Sequence, residues 1–137
     1  MGVLDGIKIL ELARVPPAEL PGMFFADMGA DVLKIDTPPG APEGATSSRR
    51  AAFIYVNRNK RSLALNMKSM EGQALFRKLA ATADVIIEGF RPGVMKRLGA
   101  DYESIKAINP RVIYCSLSGF GHNGPYRDYP AHDGNYL

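Results

Sequence analysis

The stretch that decides the fold runs Ile7-Lys8-Ile9-Leu10-Glu11-Leu12, then Glu19 to Met28, then Ala30-Asp31-Val32-Leu33-Lys34-Ile35-Asp36. The two outer runs are short and rich in Ile, Leu and Val, which is how buried strands read. The middle segment carries Leu20, Met23, Phe24 and Ala26 at helical spacing, with Pro21 tolerable in a first turn. Together they predict a β-α-β unit.

The pattern repeats outward from that unit. A loop rich in Pro, Gly, Ala and Ser runs from Thr37 to Ser48. Ser62 to Met67 reads as a short strand, and Ser69 is placed to cap a helix whose Leu75, Phe76, Leu79 and Ala83 form an apolar stripe. Val85-Ile86-Ile87 is the next strand. Pro92 and Gly93 open a short helix through Leu98, Tyr102 to Ile108 forms another, and Pro110 ends it before the strand Val112 to Leu117. Strands separated by helices in this way predict an α/β fold, a Rossmann-like, doubly wound and mostly parallel sheet.

With 137 residues, 46% of them hydrophobic, the chain can bury one ordinary core, which means one domain or a large piece of one. Apolar runs such as Val85-Ile86-Ile87 fall far short of the ~20 residues a membrane span needs. Met1 is not followed by a basic start and a long apolar stretch, so a cytoplasmic address is expected. Cys115 is the only cysteine, which rules out an intrachain disulfide and a cysteine metal cage. Its apolar surroundings predict a buried, inert thiol.

A net charge of +3 hides a cluster: Arg49, Arg50, Arg58, Lys60, Arg61 and Lys68 crowd one stretch. Such a cluster serves as a solvated face, a nucleic-acid patch or a site for the phosphates of a small ligand. No zinc pattern and no RNP-type strand accompany it, so no nucleic-acid partner is expected.

Doubly wound sheets bind ligands at the carboxyl ends of their strands. Those ends carry Ala13-Arg14-Val15-Pro16-Pro17, Asp36-Thr37-Pro38, Glu88-Gly89-Phe90-Arg91-Pro92-Gly93 and Ser118-Gly119-Phe120-Gly121-His122-Asn123-Gly124-Pro125. Asp36 sits where a ribose-binding acid would lie, but the first turn lacks G-x-G-x-x-G, which disfavours an ordinary NAD site, and no G-x-x-x-x-G-K-[ST] is present. Phosphates would have to be met by side-chain cations.

Leu4-Asp5-Gly6-Ile7-Lys8-Ile9-Leu10-Glu11-Leu12, Ala26-Asp27-Met28-Gly29-Ala30-Asp31-Val32, Asn57-Arg58-Asn59-Lys60-Arg61-Ser62, Ala83-Asp84-Val85-Ile86-Ile87-Glu88-Gly89-Phe90-Arg91-Pro92-Gly93 and Ser118-Gly119-Phe120-Gly121 with Gly124-Pro125-Tyr126 together resemble the CaiB/BaiF family. This is the family of class III coenzyme A transferases and α-methylacyl-CoA racemases. The resemblance runs in order from residue 4 to the last residue. It implies a much longer chain with a large Rossmann-like domain, a smaller domain and two interlocked copies, a homodimer. Residues 1–137 then correspond to the amino-terminal part of the CoA-binding domain, the remainder lying outside this chain. It further implies an acyl-CoA thioester as partner, coenzyme A as part of the substrate, no prosthetic group and no metal.

By position in the family, the basic cluster belongs to the phosphates of coenzyme A, with Lys68 and Arg91 as ligand contacts and Arg97 reaching phosphate from the helix after Pro92. Leu65 and Met67 resemble walls of the adenine slot, Gly89 and Phe90 resemble contacts along nucleotide and pantetheine, and Val15 and Pro16 would line the thioester end. One departure is Thr37, where the resemblance leads one to expect an arginine; Lys34 is not expected to replace it, so the adenine end would be held more weakly or by Arg49 and Arg50.

His132 divides the family. Racemase-like members read Gly-His-Asp-x-Asn-Tyr here, and Ala131-His132-Asp133-Gly134-Asn135-Tyr136 resembles that segment in all but Ala131, whereas transferase-like members more often carry Tyr at the histidine position. The resemblance therefore implies a racemase of 2-methylacyl-CoA-like substrates, with His132 as catalytic residue. Inverting a carbon α to a thioester requires one group to remove a proton and another to return it, and an imidazole of ordinary pKa ~6.5 suits one of those roles. The opposing aspartate and an orienting glutamate are expected beyond Leu137. Asp133 points away from its neighbour in an extended segment and is read as structural, while His122 is read as loop surface. Two alternatives stay open: a class III CoA transferase, and a CoA-binding fragment without activity. In isolation the chain is expected to be inactive and to associate through uncovered sheet edge.

Overall fold

The computed structural model describes residues 2–14, 16–38 and 54–131. In chain order it contains β1 (Lys8–Leu12), α1 (Pro16–Asp27), β2 (Asp31–Asp36), β3 (Arg61–Ala64), α2 (Met70–Ala80), β4 (Val85–Glu88), α3 (Val94–Arg97), α4 (Tyr102–Lys106) and β5 (Ile113–Ser116). The strands form one sheet in the order β3-β2-β1-β4-β5, and every adjacent pair is parallel. The expected Rossmann-like architecture is what the chain adopts.

Apolar runs make β1 and β4 central because a parallel sheet covered on both faces needs side chains that bury in either direction. On one face Leu10, Leu12, Ile35 and Ile86 pack with Phe76 and Ala80 of α2, Met95 of α3 and Ile105 of α4. On the other, Ile9, Val32 and Ile87 pack with Ala26 of α1. Helices on both faces make the sheet doubly wound.

Three expectations need correction. Helix α1 starts at Pro16, not Glu19, because Pro16 and Pro17 fit a first turn where N–H groups have no helical partner anyway. Pro21 consequently lies inside the helix, and the buried side is Ala18, Glu19, Gly22, Met23 and Ala26, with Phe24 exposed. In α2 the apolar stripe is rotated from the expected one: Gly72, Phe76 and Ala80 are buried while Leu75 is exposed. Ser69 does cap α2, accepting the N–H of Gly72 at 3.0 Å. Finally, Cys115 is exposed rather than buried. It sits on edge strand β5 and faces the side on which α1 packs against β1, β2 and β4, where Ile113 is also 64% exposed.

Asn109 ties the end of α2 to the start of β4. Its amide donates to the carbonyls of Ala80 at 2.9 Å and Ala83 at 2.7 Å from a buried position. Asn109→Ala strands both carbonyls out of water, so we expect a loss of about 1–3 kcal/mol in unfolding free energy. Urea titration of the variant measures it, and an unchanged midpoint would refute it.

Candidate functional site

The strand order reverses between β1 and β4, and the loops leaving these two strands diverge to opposite faces, opening a crevice at their carboxyl ends. The floor of that crevice is unusually tight. A Cβ on Gly89 would lie 2.7 Å from the Cβ of Ala18, so only glycine lets the first turn of α1 abut the loop after β4. The N–H of Gly89 donates to Leu12 at 3.3 Å, continuing the β1–β4 ladder by one step.

Glu88 shapes the turn that follows. Its carboxylate is 2% exposed, accepts the N–H of Phe90 at 2.8 Å and accepts the hydroxyl of Ser116 on β5. Beside it, the hydroxyl of Tyr114 donates to Ala100 at 2.8 Å. Burial first, then the charges of Glu88 and Asp101, push the Tyr114 hydroxyl well above its ordinary pKa, so it stays a donor. A cavity of about 400 Å³ opens over these groups, lined among others by Glu88, Arg91, Tyr114, Ser116, His122 and Arg127. His122 is exposed, as expected of a loop residue, yet it borders this cavity. Gly121 and Gly124 in the same loop adopt positive φ, at 80° and 89°.

On the α1 face lies a cluster of buried charges. Lys60 donates to both carboxylate oxygens of Glu11, at 2.9 and 2.7 Å, and to the carbonyl of Glu19 at 2.8 Å. Lys34 donates to the Glu19 carboxylate at 2.5 Å, to the carbonyl of Ala13 at 2.8 Å and to Glu11 at 3.4 Å. The side chains of Glu11, Lys34 and Lys60 are at most 2% exposed. Burial raises the Glu11 carboxyl above its ordinary value against the pull of Lys60 and Lys34, and burial lowers the Lys60 ammonium against the pull of Glu11. Both directions show that loss of hydration outweighs the attraction within the pair, as is usual for buried ions.

This cluster reassigns part of the basic stretch. Arg58 pairs with Asp27 at 2.5 Å, Arg61 with Asp31 at 2.6 Å and Lys60 with Glu11 at 2.7 Å, so acidic groups of the fold already occupy three cations read as phosphate ligands. Lys34 is buried and paired with Glu11 and Glu19, so it is not available in place of the arginine expected at Thr37.

The remaining expected residues gather at the carboxyl edge. Pro16 is exposed at the head of α1, after β1; Leu65, Met67 and Lys68 follow β3; Gly89, Phe90 and Arg91 follow β4; Arg97 is exposed on α3. Leu65, Met67 and Phe90 share one apolar cluster, in which Leu65 is 7% exposed and the other two are half-buried. None of Lys68, Arg91 and Arg97 forms an ion pair among the described residues. Val15 and His132, with Arg49, Arg50 and Asp133, lie outside the described residues.

Glu88, Ser116 and Tyr114 were not singled out by sequence, nor was the Glu11–Glu19–Lys34–Lys60 cluster. The available signal was a charge inside an apolar strand: Glu11 shares the phase of Ile9, Lys34 that of Val32, and Glu88 that of Ile86. In a sheet covered on both faces such a charge is buried and must be paired.

Residues 4–137 match the family profile described as CoA-transferase family III. This chain belongs to that family. A relative from Agrobacterium fabrum, named a succinate–glutarate CoA-transferase, is 43% identical over 95% of this chain and 36% of its own length. The α-methylacyl-CoA racemase of Mus musculus is 39% identical over 98% of this chain and 33% of its own. The crystal structure of a CaiB/BaiF family protein from Brucella suis superposes with a TM-score of 0.86 at 42% identity, covering 97% of this chain and 38% of that one. The chain thus spans about a third of the length of the family III relatives it matches. Among the described residues no helix is long and apolar enough to cross a membrane.

Proposed function

We propose that this chain supplies the coenzyme A handle of an enzyme acting on acyl-CoA thioesters, and that the full-length protein inverts the carbon α to the thioester. The observation that carries the second half is the segment Ala131-His132-Asp133-Gly134-Asn135-Tyr136, whose histidine resembles that of racemase-like members of the family. The first half is supported by Lys68, Arg91 and Arg97, which form no ion pair among the described residues, and by half-buried Met67 and Phe90, all at the edge where such sheets bind ligands. In this reading Gly89 and the Phe90 amide run along the ligand, and Val15 and Pro16 border the thioester. His132 moves a proton at one face of the carbon α, and a second group outside this chain serves the other face. The proposal carries with it the homodimer and the cytoplasmic setting expected from the sequence.

Transfer of coenzyme A between carboxylic acids is the second reading, and the transferase names of relatives such as the Agrobacterium protein favour it. Such a reaction needs a carboxylate nucleophile to take the acyl group as a mixed anhydride. One experiment separates the two. Full-length protein is incubated with a single stereoisomer of a 2-methylacyl-CoA in deuterated water, without any acceptor acid. Racemisation predicts deuterium at the carbon α and loss of optical purity. No exchange, with turnover appearing only when a carboxylic acid is added, establishes transfer instead.

A further inference from the structure

The buried charge cluster sits on the α1 face of the sheet, against the first residue of the loop after β1, and its geometry points to a role beyond packing. Three donors of one ammonium, Lys34, reach three separate parts of the fold: Glu11 on β1, the carbonyl of Ala13 in the loop after β1, and Glu19 in the first turn of α1. The Ala13 carbonyl opens the loop that leads through Arg14 to Pro16. Glu19 adjoins Ala18, whose Cβ lies 2.7 Å from where a Cβ on Gly89 would fall. Lys60 holds the backbone of Glu19 from the other side, through its carbonyl at 2.8 Å. Gly22 completes the enclosure, since a Cβ there would fall 1.7 Å from the Glu11 carboxylate.

We propose that Lys34 is a positioning residue for the acyl-CoA site: by gripping the Ala13 carbonyl and Glu19 together, it fixes the β1–α1 loop and sets α1 against Gly89. This deepens, and rests on, the reading that the loop containing Val15 and Pro16 borders the thioester. Bare stabilisation does not need the arrangement. A buried ion pair is commonly matched or bettered by apolar side chains of the same volume, whereas an ammonium aimed at a loop carbonyl specifies where that loop lies. The hydrogen bond crosses from β2 past β1 to the loop, so the loop is tied to the sheet and not merely to its own helix.

The test uses the full-length protein, with Lys34→Met and with the double variant Lys34→Met/Glu19→Gln. The double change removes one charge of each sign, which leaves the Glu11–Lys60 pair intact and restores balance, but it does not restore the Ala13 tether. Two ligands are titrated calorimetrically: an acyl-CoA, which reaches the thioester end, and adenosine 3′,5′-bisphosphate, which reaches only the nucleotide end. In the folded double variant the acyl-CoA affinity falls by about tenfold relative to that for the bisphosphate. Equal loss for both ligands, or recovery of both together with thermal stability, overturns the proposal.

Hydrogen exchange in the unliganded protein gives a reading that does not depend on coenzyme A. Among residues 13–19, the amides of Ala13, Arg14, Ala18 and Glu19 exchange faster in the double variant, while those of β4 and β5 do not. Unchanged exchange over 13–19 overturns the proposal even if the wild type binds no coenzyme A. Failure of the wild type to bind either ligand, with the exchange result as expected, rejects the thioester reading and leaves the tether standing.

Discussion

Lys60→Met lowers the free energy of unfolding by about 3–5 kcal/mol, the cost of leaving a buried charge without its partner. Methionine keeps the length of the lysine stem, so the packing change is small. What changes is that Glu11 loses a donor to both of its oxygens, the Glu19 carbonyl loses its partner, and Lys34 is left to answer two carboxylates. The dependence on pH identifies the cause. Burial already holds the Glu11 carboxyl above its ordinary value, and without Lys60 the largest opposing influence is gone. A carboxyl with a raised folded pKa binds more proton in the fold than in the unfolded chain, so its contribution to stability declines as pH rises through that range. The deficit of Lys60→Met is therefore smaller at about pH 5 than at about pH 8, and a deficit equal at both would sink the explanation. Glu11→Met added to Lys60→Met removes the orphaned charge and recovers much of the loss, which a double-mutant cycle in denaturant measures.

His132→Gln in the full-length protein reduces exchange of the α-proton of a 2-methylacyl-CoA by about 10²–10⁴-fold, the range a positioned acid or base contributes. Glutamine retains a hydrogen-bonding side chain of similar reach but does not accept a proton near neutral pH. Binding of the acyl-CoA and the melting temperature stay near their wild-type values, because the change touches the proton and not the handle. The wild-type rate also rises with pH as the imidazole loses its proton, if His132 is the abstracting base, and the variant lacks that limb. An exchange rate unaltered by the substitution would remove His132 from the chemistry. Retained CoA transfer to an acceptor acid in the same variant would place the protein with the transferases.

Much of this fold was legible from chemical pattern. Ile7 to Leu12, Ala30 to Asp36, Val85 to Ile87 and Val112 to Leu117 announced strands because a parallel sheet covered on both faces leaves no place for alternation. Ser69 announced the start of α2 through its capping hydroxyl. Helix α1 was misjudged because its buried side is built from Ala18, Glu19 and Gly22, residues that carry no apolar signal, while Phe24 carries a strong one and faces outward. The same difficulty blurred the site. Arg58, Lys60 and Arg61 read as one cationic patch, yet each finds its acid about thirty to fifty residues earlier in the chain. Pairings of that kind depend on topology: Asp31 and Arg61 lie on neighbouring strands β2 and β3, and Glu11 on β1 meets Lys60, just before β3, across the strand that lies between them. Exposure of Cys115 was hidden for a related reason, since a strand's composition does not tell whether it ends in the middle of a sheet or at its border.

The strand order has a bearing on how the chain is made as well as on where its crevice lies. Of the five described strands β1 is made first, and it becomes the middle of their sheet. Every later strand then emerges to find its neighbour already present: β2 beside β1, β3 beside β2, β4 on the other flank of β1, and β5 beside β4. Assembly can follow the ribosome outward from the centre, first to one side and then to the other, and each of the four later described strands finds a described neighbour already translated.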